Sequence, residues 1–199
     1  RPMSPEDAGH MKKTATVSIG DYCSALADKQ PVPGGGSVNA VYGAVGCSLG
    51  LMVIAYTLGK KKYESFTGDL TRARTVFKRL QKKFLTLSDR DQESYAAYAA
   101  GGSRRAAAVR KMIGVPLQVM ACARDALEQL ALLRDKTNPW LRTDFVIAVD
   151  SLLLAFRASS LNVEGNCAFC EDSAFVDAVR RESRSLRAAV ERIEKKIKK

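Results

Sequence analysis

An uncharged segment from Val38 to Leu58, between a PGGGS turn and three consecutive lysines, constrains the fold more than any other feature of the sequence. As a helix, this segment is just long enough to span a bilayer. Most of its residues are small, however, which weakens its partitioning into lipid and lets neighbouring backbones approach closely. The other helical segments are amphipathic and charged, and no second comparable segment stands out. We therefore expect a buried central helix of a helical bundle, and no membrane partner.

The glycine-rich turn before this segment, formed by Gly34, Gly35, Gly36 and Ser37, allows two interpretations. Free backbone N–H groups at a helix N-terminus can hold an anion. The alternative is a plain loop followed by Ser37 as the helix N-cap. The turn matches neither the GxGxxG pattern nor the P-loop pattern, so it is not a nucleotide-binding motif of either kind. Spacing alone favours the N-cap interpretation.

Apolar residues recur at helical spacing along the whole chain, whereas alternating β-branched runs are scarce. The spacing predicts helices over residues 18–28, 37–59, 69–100, 104–135, 143–161 and 173–199. Gly114 and Pro116 predict a kink in the fourth helix. Residues 1–11 lack periodicity and resemble an expression scar, so the predicted domain is 12–199. The predicted fold class is all-α, a single-domain bundle of about six helices with the small-residue helix buried.

Histidine and cysteine usage restricts the chemistry. The one histidine, His10, falls in the excluded leader, which argues against histidine triads, HExxH zinc sites and histidine general bases. The odd number of cysteines, without a secretory signal, favours a reduced, cytoplasmic protein. The cysteines are Cys23, Cys47, Cys122, Cys167 and Cys170. The CAFC pair has neither a second pair for zinc nor a βαβ context for redox chemistry, so we interpret it as ordinary thiols and predict no metal site.

The net charge of +11 is compatible with an anionic partner. Much of this charge lies in residues 179–199, which also carry an apolar helical stripe. The stripe consists of Val179, Leu186, Val190, Ile193 and Ile197. Few aromatic residues alternate with the basic ones, so a base-stacking surface is not supported. We expect a packing helix with a solvated basic face, and no nucleic-acid partner.

One carboxylate occupies a core position of the third predicted helix. The stripe that contains it comprises Phe77, Leu80, Phe84, Leu87, Asp91, Tyr95 and Tyr98. Asp89 points away from this stripe and can remain solvated. An unpaired buried carboxylate is costly, so Asp91 needs a partner, a proton or a cavity. It is either a general acid/base with a raised pKa or a structural residue bonded to a neighbouring helix end, and the stripe alone leaves both open.

Three further polar residues belong to the region of the fifth predicted helix. Asp144 falls in the first turn, where a carboxylate suits the helix dipole and most commonly acts as a cap. Asn162 and Asn166 are four residues apart and share a face at the end of that helix. Their amides can orient a ligand or cap the helix.

Four motifs, in order, resemble those of the formiminotransferase-cyclodeaminase C-terminal family. The stretch PVPGGGSVNAVYGAVGCSLGLMVIAYTLGKKKY resembles the family signature of a PGGGS turn, a small-residue helix and a GKKKY-like end. LSDRDQESY is similar to the family's LxDxDxxxF/Y motif, TNPWLRTD to its GNxxxxSD motif and LNVEGN to its NVxxN motif. The resemblance covers about residues 18–177. Two features depart from the family: the AAGGSRRAA connection is short, and Glu164 and Gly165 replace apolar residues.

The resemblance implies an enzyme that acts on the one carbon bridging N5 and N10 of tetrahydrofolate. The two activities of the family are methenyltetrahydrofolate cyclohydrolase and formiminotetrahydrofolate cyclodeaminase. The absence of a fused formiminotransferase domain in this sequence leads us to expect the cyclohydrolase. The resemblance also implies a homodimer, a tetrahydrofolate substrate that can be polyglutamylated, and no cofactor beyond that substrate. A non-catalytic basic scaffold that kept the fold is the alternative of a different class.

The resemblance further implies roles for individual residues. Asp91 is expected to be the acid/base, with Asp89 or Asp144 assisting. Lys60, Lys61 and Lys62 are expected to contact the anionic glutamate tail of the folate. The other residues expected to bind substrate are Gly34, Gly35, Gly36, Ser37, Asn162 and Asn166.

Overall fold

Six α-helices make up most of the computed structural model, which describes residues 13–198. They are α1 (Ile19–Ala27), α2 (Gly35–Ala55), α3 (Thr67–Ala99), α4 (Arg105–Leu133), α5 (Arg142–Cys167) and α6 (Ser173–Lys198). Short 3₁₀ helices lie at Thr14–Thr16, Lys61–Phe66, Gly102–Arg104 and Pro139–Leu141. The all-α prediction is confirmed. The predicted expression scar at residues 1–11, with His10, lies outside the described residues.

Helices α2 to α5 run alternately up and down and form a four-helix core. The pairing of their ends shows the direction. Thr57, after the end of α2, accepts a hydrogen bond from the Asn138 amide before α5, at 3.1 Å. At the other end of α5, the Asn166 side-chain amide donates to the carbonyl of Met112 on α4, at 2.7 Å. Helix α2 packs between α3 and α5, and α6 packs mainly on α4.

Small residues on α2 permit its close packing. A Cβ built on Gly43 would collide with the ring of Phe84 on α3. On the opposite side, a Cβ on Gly46 would lie 2.8 Å from Cγ of Leu152 on α5. Large side chains at these positions would force the three helices apart, which confirms the expectation of a helix built for close approach.

Helix α2 is nevertheless buried on one side only. Tyr42 and Val45 on its outer side are exposed, as is Tyr56 just past its last residue, whereas Ala40 and Cys47 are fully buried. The expectation of an enclosed central helix is therefore only partly right, because α2 lies at a corner of the four-helix core.

Three helical segments are long and apolar enough to cross a membrane by length and composition: Gly35–Ala55, Gly102–Leu133 and Pro139–Cys167. The expectation that α2 has no counterpart is therefore wrong. Between 50% and 61% of each apolar window is buried inside the bundle. Packing against neighbouring helices accounts for this part of the apolar composition.

Several predicted helix ends shift. Helix α1 begins as expected, because the Ser18 hydroxyl accepts a hydrogen bond from the Asp21 amide at 3.0 Å. Ser37 is not the N-cap of α2, however; Gly34 takes that position. Helix α5 runs on to Cys167, beyond the predicted end at residue 161, so Asn162 and Asn166 still lie near its C-terminus but inside the helix. Pro116 lies inside the continuous helix α4.

Candidate active site

The stripe of α3 that contains Asp91 passes from the core into a cleft. Phe77, Leu80, Phe84 and Leu87 are almost fully buried. One turn further along, Asp91 meets the N-terminus of α2, and its carboxylate lies directly against Gly36. A Cβ at position 36 would overlap that carboxylate, so the glycine is what allows the approach.

The cleft has a volume of about 540 Å³ and lies among α2, α3, α4 and α5. That volume is in the range of small-molecule sites. Its lining residues are Pro31, Val32, Gly34, Gly35, Gly36, Asp91, Tyr95, Tyr98, Met112, Asn162, Asn166 and Phe169. Six residues that the sequence marked as site candidates therefore meet in one place: the three glycines, Asp91 and the two asparagines.

The surroundings of Asp91 favour its protonated form. Burial raises the pKa of this carboxyl from 3.8 to about 6, and the backbone amide of Ser37 opposes that rise by hydrogen bonding. A carboxyl with a pKa of about 6 can exchange a proton with a substrate near neutral pH. This proton affinity is the main chemical capacity of the cleft.

Two side-chain amides face Asp91 across the cleft. The Asn166 amide is tethered to the carbonyl of Met112 at 2.7 Å, which fixes its orientation. Asn162 lies one turn earlier on α5 and lines the same cleft. Such amides are suited to hydrogen bonding with a polar heterocycle.

Aromatic rings line the mouth of the cleft. The rings of Tyr95 and Tyr98 lie 6.3 Å apart, and Tyr98 lies 5.7 Å from Phe169. The guanidinium of Arg105 lies 4.8 Å from the centre of the Tyr98 ring and donates to its hydroxyl at 2.9 Å. The mouth therefore combines flat apolar surface with a cation.

Asp89 does not line the cleft. Its carboxylate accepts the backbone N–H of Thr14 at 2.8 Å and so fastens the N-terminal segment to α3. It points away from the stripe, as predicted, but it is held by this contact and is only partly exposed. Direct participation of Asp89 in proton transfer is not supported by this position.

Asp144 and Lys60 to Lys62 lie at the opposite end of the bundle from Asp91. Both groups flank the contact between Asn138 and Thr57, beyond the last turn of α2. Helix α2 has 21 residues, which corresponds to about 30 Å at the usual helical rise. Within one chain, the predicted tail contact and the predicted assisting carboxylate are therefore far from Asp91.

Sequence reasoning did not mark six cleft residues as site candidates, namely Pro31, Val32, Tyr95, Tyr98, Met112 and Phe169. Met112 lies in an ordinary apolar helix, and only long-range packing brings it to the cleft. Phe169 lies inside the CAFC segment, where the cysteines drew attention instead. Its exposure of 53% was not visible in the sequence.

The two departures from the family pattern affect the outside of the cleft. Glu164 is exposed and pairs with Arg180 on α6 at 2.5 Å, and Gly165 is exposed and meets open space. Neither residue lines the cleft. The short connection turns at Gly101 and Gly102, whose φ values of 69° and 74° favour glycine.

Comparison with known proteins agrees with this architecture. The family model for formiminotransferase-cyclodeaminase matches residues 18–185. The chain belongs to this family. Across residues 13–198, no group of three His, Cys, Asp or Glu side chains is arranged to hold a metal ion.

Alignments with individual relatives cover nearly the whole of this chain. It is 27% identical to the methenyltetrahydrofolate cyclohydrolase of Methylorubrum extorquens, over 90% of this chain and 93% of that protein. It is 26% identical to the formimidoyltransferase-cyclodeaminase of Dictyostelium discoideum, over 92% of this chain but 36% of that protein. The chain thus spans about a third of the length of such relatives.

A solved structure shows the same fold. The formiminotetrahydrofolate cyclodeaminase from Thermotoga maritima superposes with a TM-score of 0.88 and 26% sequence identity. The match covers 92% of this chain and 95% of that one. This protein therefore shares the arrangement of the helices that form the cleft with that cyclodeaminase.

Proposed function

We propose that this protein is a methenyltetrahydrofolate cyclohydrolase, which converts 5,10-methenyltetrahydrofolate to 10-formyltetrahydrofolate. The observation that carries the proposal is Asp91, a half-buried carboxyl with a pKa of about 6, aimed into a cleft of substrate size. The similarity to a cyclohydrolase over 93% of that protein supports it.

The first step is the addition of water to the methenyl carbon. Ionised Asp91 removes a proton from the water as its oxygen attacks the carbon between N5 and N10. The positive charge of the substrate's amidinium group is neutralised, and a tetrahedral carbon forms. From a single position, the Asp91 carboxylate both stabilises the cationic substrate and accepts the proton. The Ser37 amide stabilises the ionised form of Asp91 by hydrogen bonding.

The second step is the cleavage of the bond between this carbon and N5. Protonated Asp91 returns its proton to N5, which leaves with the bonding electron pair. The hydroxyl on the carbon loses its proton to solvent and becomes the formyl carbonyl on N10. One water is consumed and one proton is released overall, and Asp91 ends in its starting state.

The cleft lining suits a folate in other respects. The asparagine amides can hydrogen-bond the pterin edge, and the tyrosine rings offer a stacking surface for an aromatic ring. Arg105 at the mouth can meet a carboxylate of the glutamate tail from within the same chain.

A formiminotetrahydrofolate cyclodeaminase is the second candidate, favoured by the fold match to the Thermotoga enzyme of that name. In that reaction N10 attacks the formimino carbon and ammonia leaves, so the same carboxyl can shuttle the same number of protons. The two activities separate in one experiment that offers formimino- and methenyltetrahydrofolate side by side. Loss of methenyl absorbance indicates the cyclohydrolase, and its appearance with ammonia indicates the cyclodeaminase.

A non-catalytic scaffold is the candidate of a different class, motivated by the net charge of +11 and the departures from the family pattern. The positions of Glu164 and Gly165 outside the cleft argue against it. Titration with folate followed by the absorbance assay decides: a protein that neither binds folate nor changes the absorbance is the scaffold.

We propose a homodimer as the working form. Exposed apolar side chains lie on one side of α2 at Tyr42 and Val45, and at Tyr56 just past its last residue, and they recur on α5 at Ile147 and Leu154. We define these five residues as the outer face. A second copy that docks on this face by two-fold symmetry covers apolar surface on both chains.

Such a dimer also gives Lys60 to Lys62 a route to the folate. A two-fold axis across α2 places the helices of the two copies antiparallel, so the lysine end of one chain lies near the Asp91 end of the other. The lysines can then contact the glutamate tail in the partner's cleft, and Asp144 can approach the same cleft.

A further inference from the structure

A cluster of hydroxyl groups lies behind the glycine turn and outside the cleft. The Tyr22 hydroxyl is 2.8 Å from Oγ of Ser37, which is 2.7 Å from Oγ of Ser88. Ser88 is in turn 3.0 Å from Oγ1 of Thr14. Ser37 and Ser88 are fully buried. Together with the Gln92 amide, these residues are the hydroxyl cluster.

The hydroxyl cluster connects four parts of the chain. Tyr22 belongs to α1, Ser37 to α2, and Ser88 and Gln92 to α3, while Thr14 lies in the N-terminal segment. The Gln92 amide reaches the Ser37 hydroxyl at 3.3 Å and the Thr14 hydroxyl at 3.4 Å. Buried hydrogen bonds are strong when every member has a partner and costly when one is removed, so the cluster fixes the relative position of these elements.

Ser37 links the hydroxyl cluster to Asp91. Its side chain belongs to the cluster, whereas its backbone amide acts on the Asp91 carboxylate and lowers the pKa of that group. The neighbouring Gly36 touches the same carboxylate. On α3, Ser88 precedes Asp91 by less than one turn. The hydrogen bond between Ser37 and Ser88 therefore links the two helices that carry the Ser37 amide and the Asp91 carboxylate. The distance between these two groups depends on that link.

We propose that the hydroxyl cluster is a positioning device that holds the Ser37 amide against the Asp91 carboxylate, with Ser88 as its central residue. This role rests on the proposed function only for its effect on turnover. Asp89 contributes from the outside, because its carboxylate holds the Thr14 amide at 2.8 Å and so keeps Thr14 in the cluster.

Two factors set the pKa of Asp91: burial, which raises it, and the hydrogen bond from the Ser37 amide, which lowers it. The other groups around Asp91 come from several helices. Helix α1 contributes the Tyr22 phenol, whose pKa burial raises, so that it is neutral at physiological pH. Helix α3 contributes Tyr95 and Tyr98, α4 contributes Met112, and α5 contributes the amides of its two asparagines. Arg105 lies at the mouth, over Tyr98. A looser Ser37 amide therefore stabilises the carboxylate less and raises its proton affinity further.

The test is the pH dependence of kcat/KM for methenyltetrahydrofolate in the Ser88→Ala variant. We expect the acidic limb to move to higher pH by about half a unit to one unit, which is the usual effect of weakening one hydrogen bond to a carboxylate. The Tyr22→Phe variant keeps the ring and removes one outer hydroxyl, so it should shift the limb in the same direction by less. Thr86→Ala is the matched control on α3, because the Thr86 hydroxyl is exposed and bonds only to the Lys82 carbonyl, at 3.1 Å.

A direct titration of the Asp91 carboxyl by carbon NMR, in wild type and Ser88→Ala, tests the same role without turnover. It separates this inference from the proposed function, since it works in an inactive protein as well. A raised Asp91 pKa in the variant supports the positioning role. An unchanged Asp91 pKa in a folded variant overturns it, and if Ser88→Ala does not fold, the same two outcomes are read from Tyr22→Phe.

Discussion

At the residue scale, the molecule retains a carboxyl group in a place that costs it stability. Burial raises the pKa of Asp91 from 3.8 to about 6, so the folded chain holds this proton more tightly than the unfolded chain does. The free energy of unfolding therefore falls as pH rises between these two values, by roughly 2–3 kcal/mol for this one group. A residue kept at such a cost is typical of a functional site.

The cost of Asp91 predicts the stability of the Asp91→Asn variant. An uncharged amide of the same shape avoids the cost of ionisation, and its oxygen can still accept from the Ser37 amide. We expect the variant to be more stable than wild type above pH 7 by about 2 kcal/mol, and equal to it near pH 4. Denaturant unfolding at both pH values measures this. A variant less stable than wild type at pH 8 would mean that Asp91 is a structural anchor.

At the element scale, the site depends on how closely the start of α2 approaches α3. Gly36 supplies the space that the Asp91 carboxylate occupies, and Gly43 makes room for Phe84 further along the same pair of helices. The glycines are thus required by side chains of another helix.

The contact between Gly36 and Asp91 predicts the effect of Gly36→Ala. The new methyl group overlaps the carboxylate, which must leave its position beside the Ser37 amide. We expect kcat/KM to fall roughly 100-fold, the order of loss that a displacement of about 1 Å causes. Gly165→Ala is the control, because that helical glycine faces open space and lies outside the cleft. Equal activity of the two variants would show that the close approach has no catalytic role.

The helices also show how much of the candidate site could be predicted from the sequence. The stripe from Phe77 to Asp91 was visible because helical periodicity is a local property of the chain. The start of α2 was misjudged, since Ser37 looks like a cap unless its buried partners Tyr22 and Ser88 are known. The contributions of Met112 and Phe169 depend on contacts between distant segments, which spacing does not encode.

At the scale of the whole molecule, the predicted residues divide between two ends of the bundle. Asp91, the glycine turn and the asparagines meet at one end, and Lys60 to Lys62 lie at the other. The family resemblance implied that both sets contact the same substrate. The sequence did not reveal their separation, because order along a chain does not show the direction in which helices pack. The proposed dimer would reunite them across two chains.

Complementation between two variants tests this dimer. Asp91→Asn and a variant with Lys60, Lys61 and Lys62 all changed to Ala are each expected to be impaired, the second mainly with polyglutamylated folate. Unfolded and refolded together, they form mixed dimers in which one site carries both defects and the other carries none. We expect recovery of about a quarter of wild-type activity, from random pairing in a two-fold dimer. No recovery in a mixture that is dimeric by light scattering would place each complete site within one chain.

A complementary change tests the outer face itself. The double substitution Val45→Glu and Leu154→Glu places charge at two exposed apolar positions and leaves the core unchanged. We expect the double variant to be monomeric by light scattering while wild type is dimeric, since burying unpaired carboxylates at an interface is strongly unfavourable. A variant that remains dimeric would locate the interface elsewhere.

The central claim is that Asp91 transfers the protons of methenyltetrahydrofolate hydrolysis, and the decay of methenyl absorbance, followed against pH in wild type and Asp91→Asn, tests it most directly. We predict that wild-type kcat/KM rises with pH through about 6, as Asp91 ionises. The Asp91→Asn variant should be slower by about 100-fold or more and lack that limb, in line with the usual contribution of a general acid/base. Turnover by Asp91→Asn at the wild-type rate, with the same pH dependence, would contradict the account.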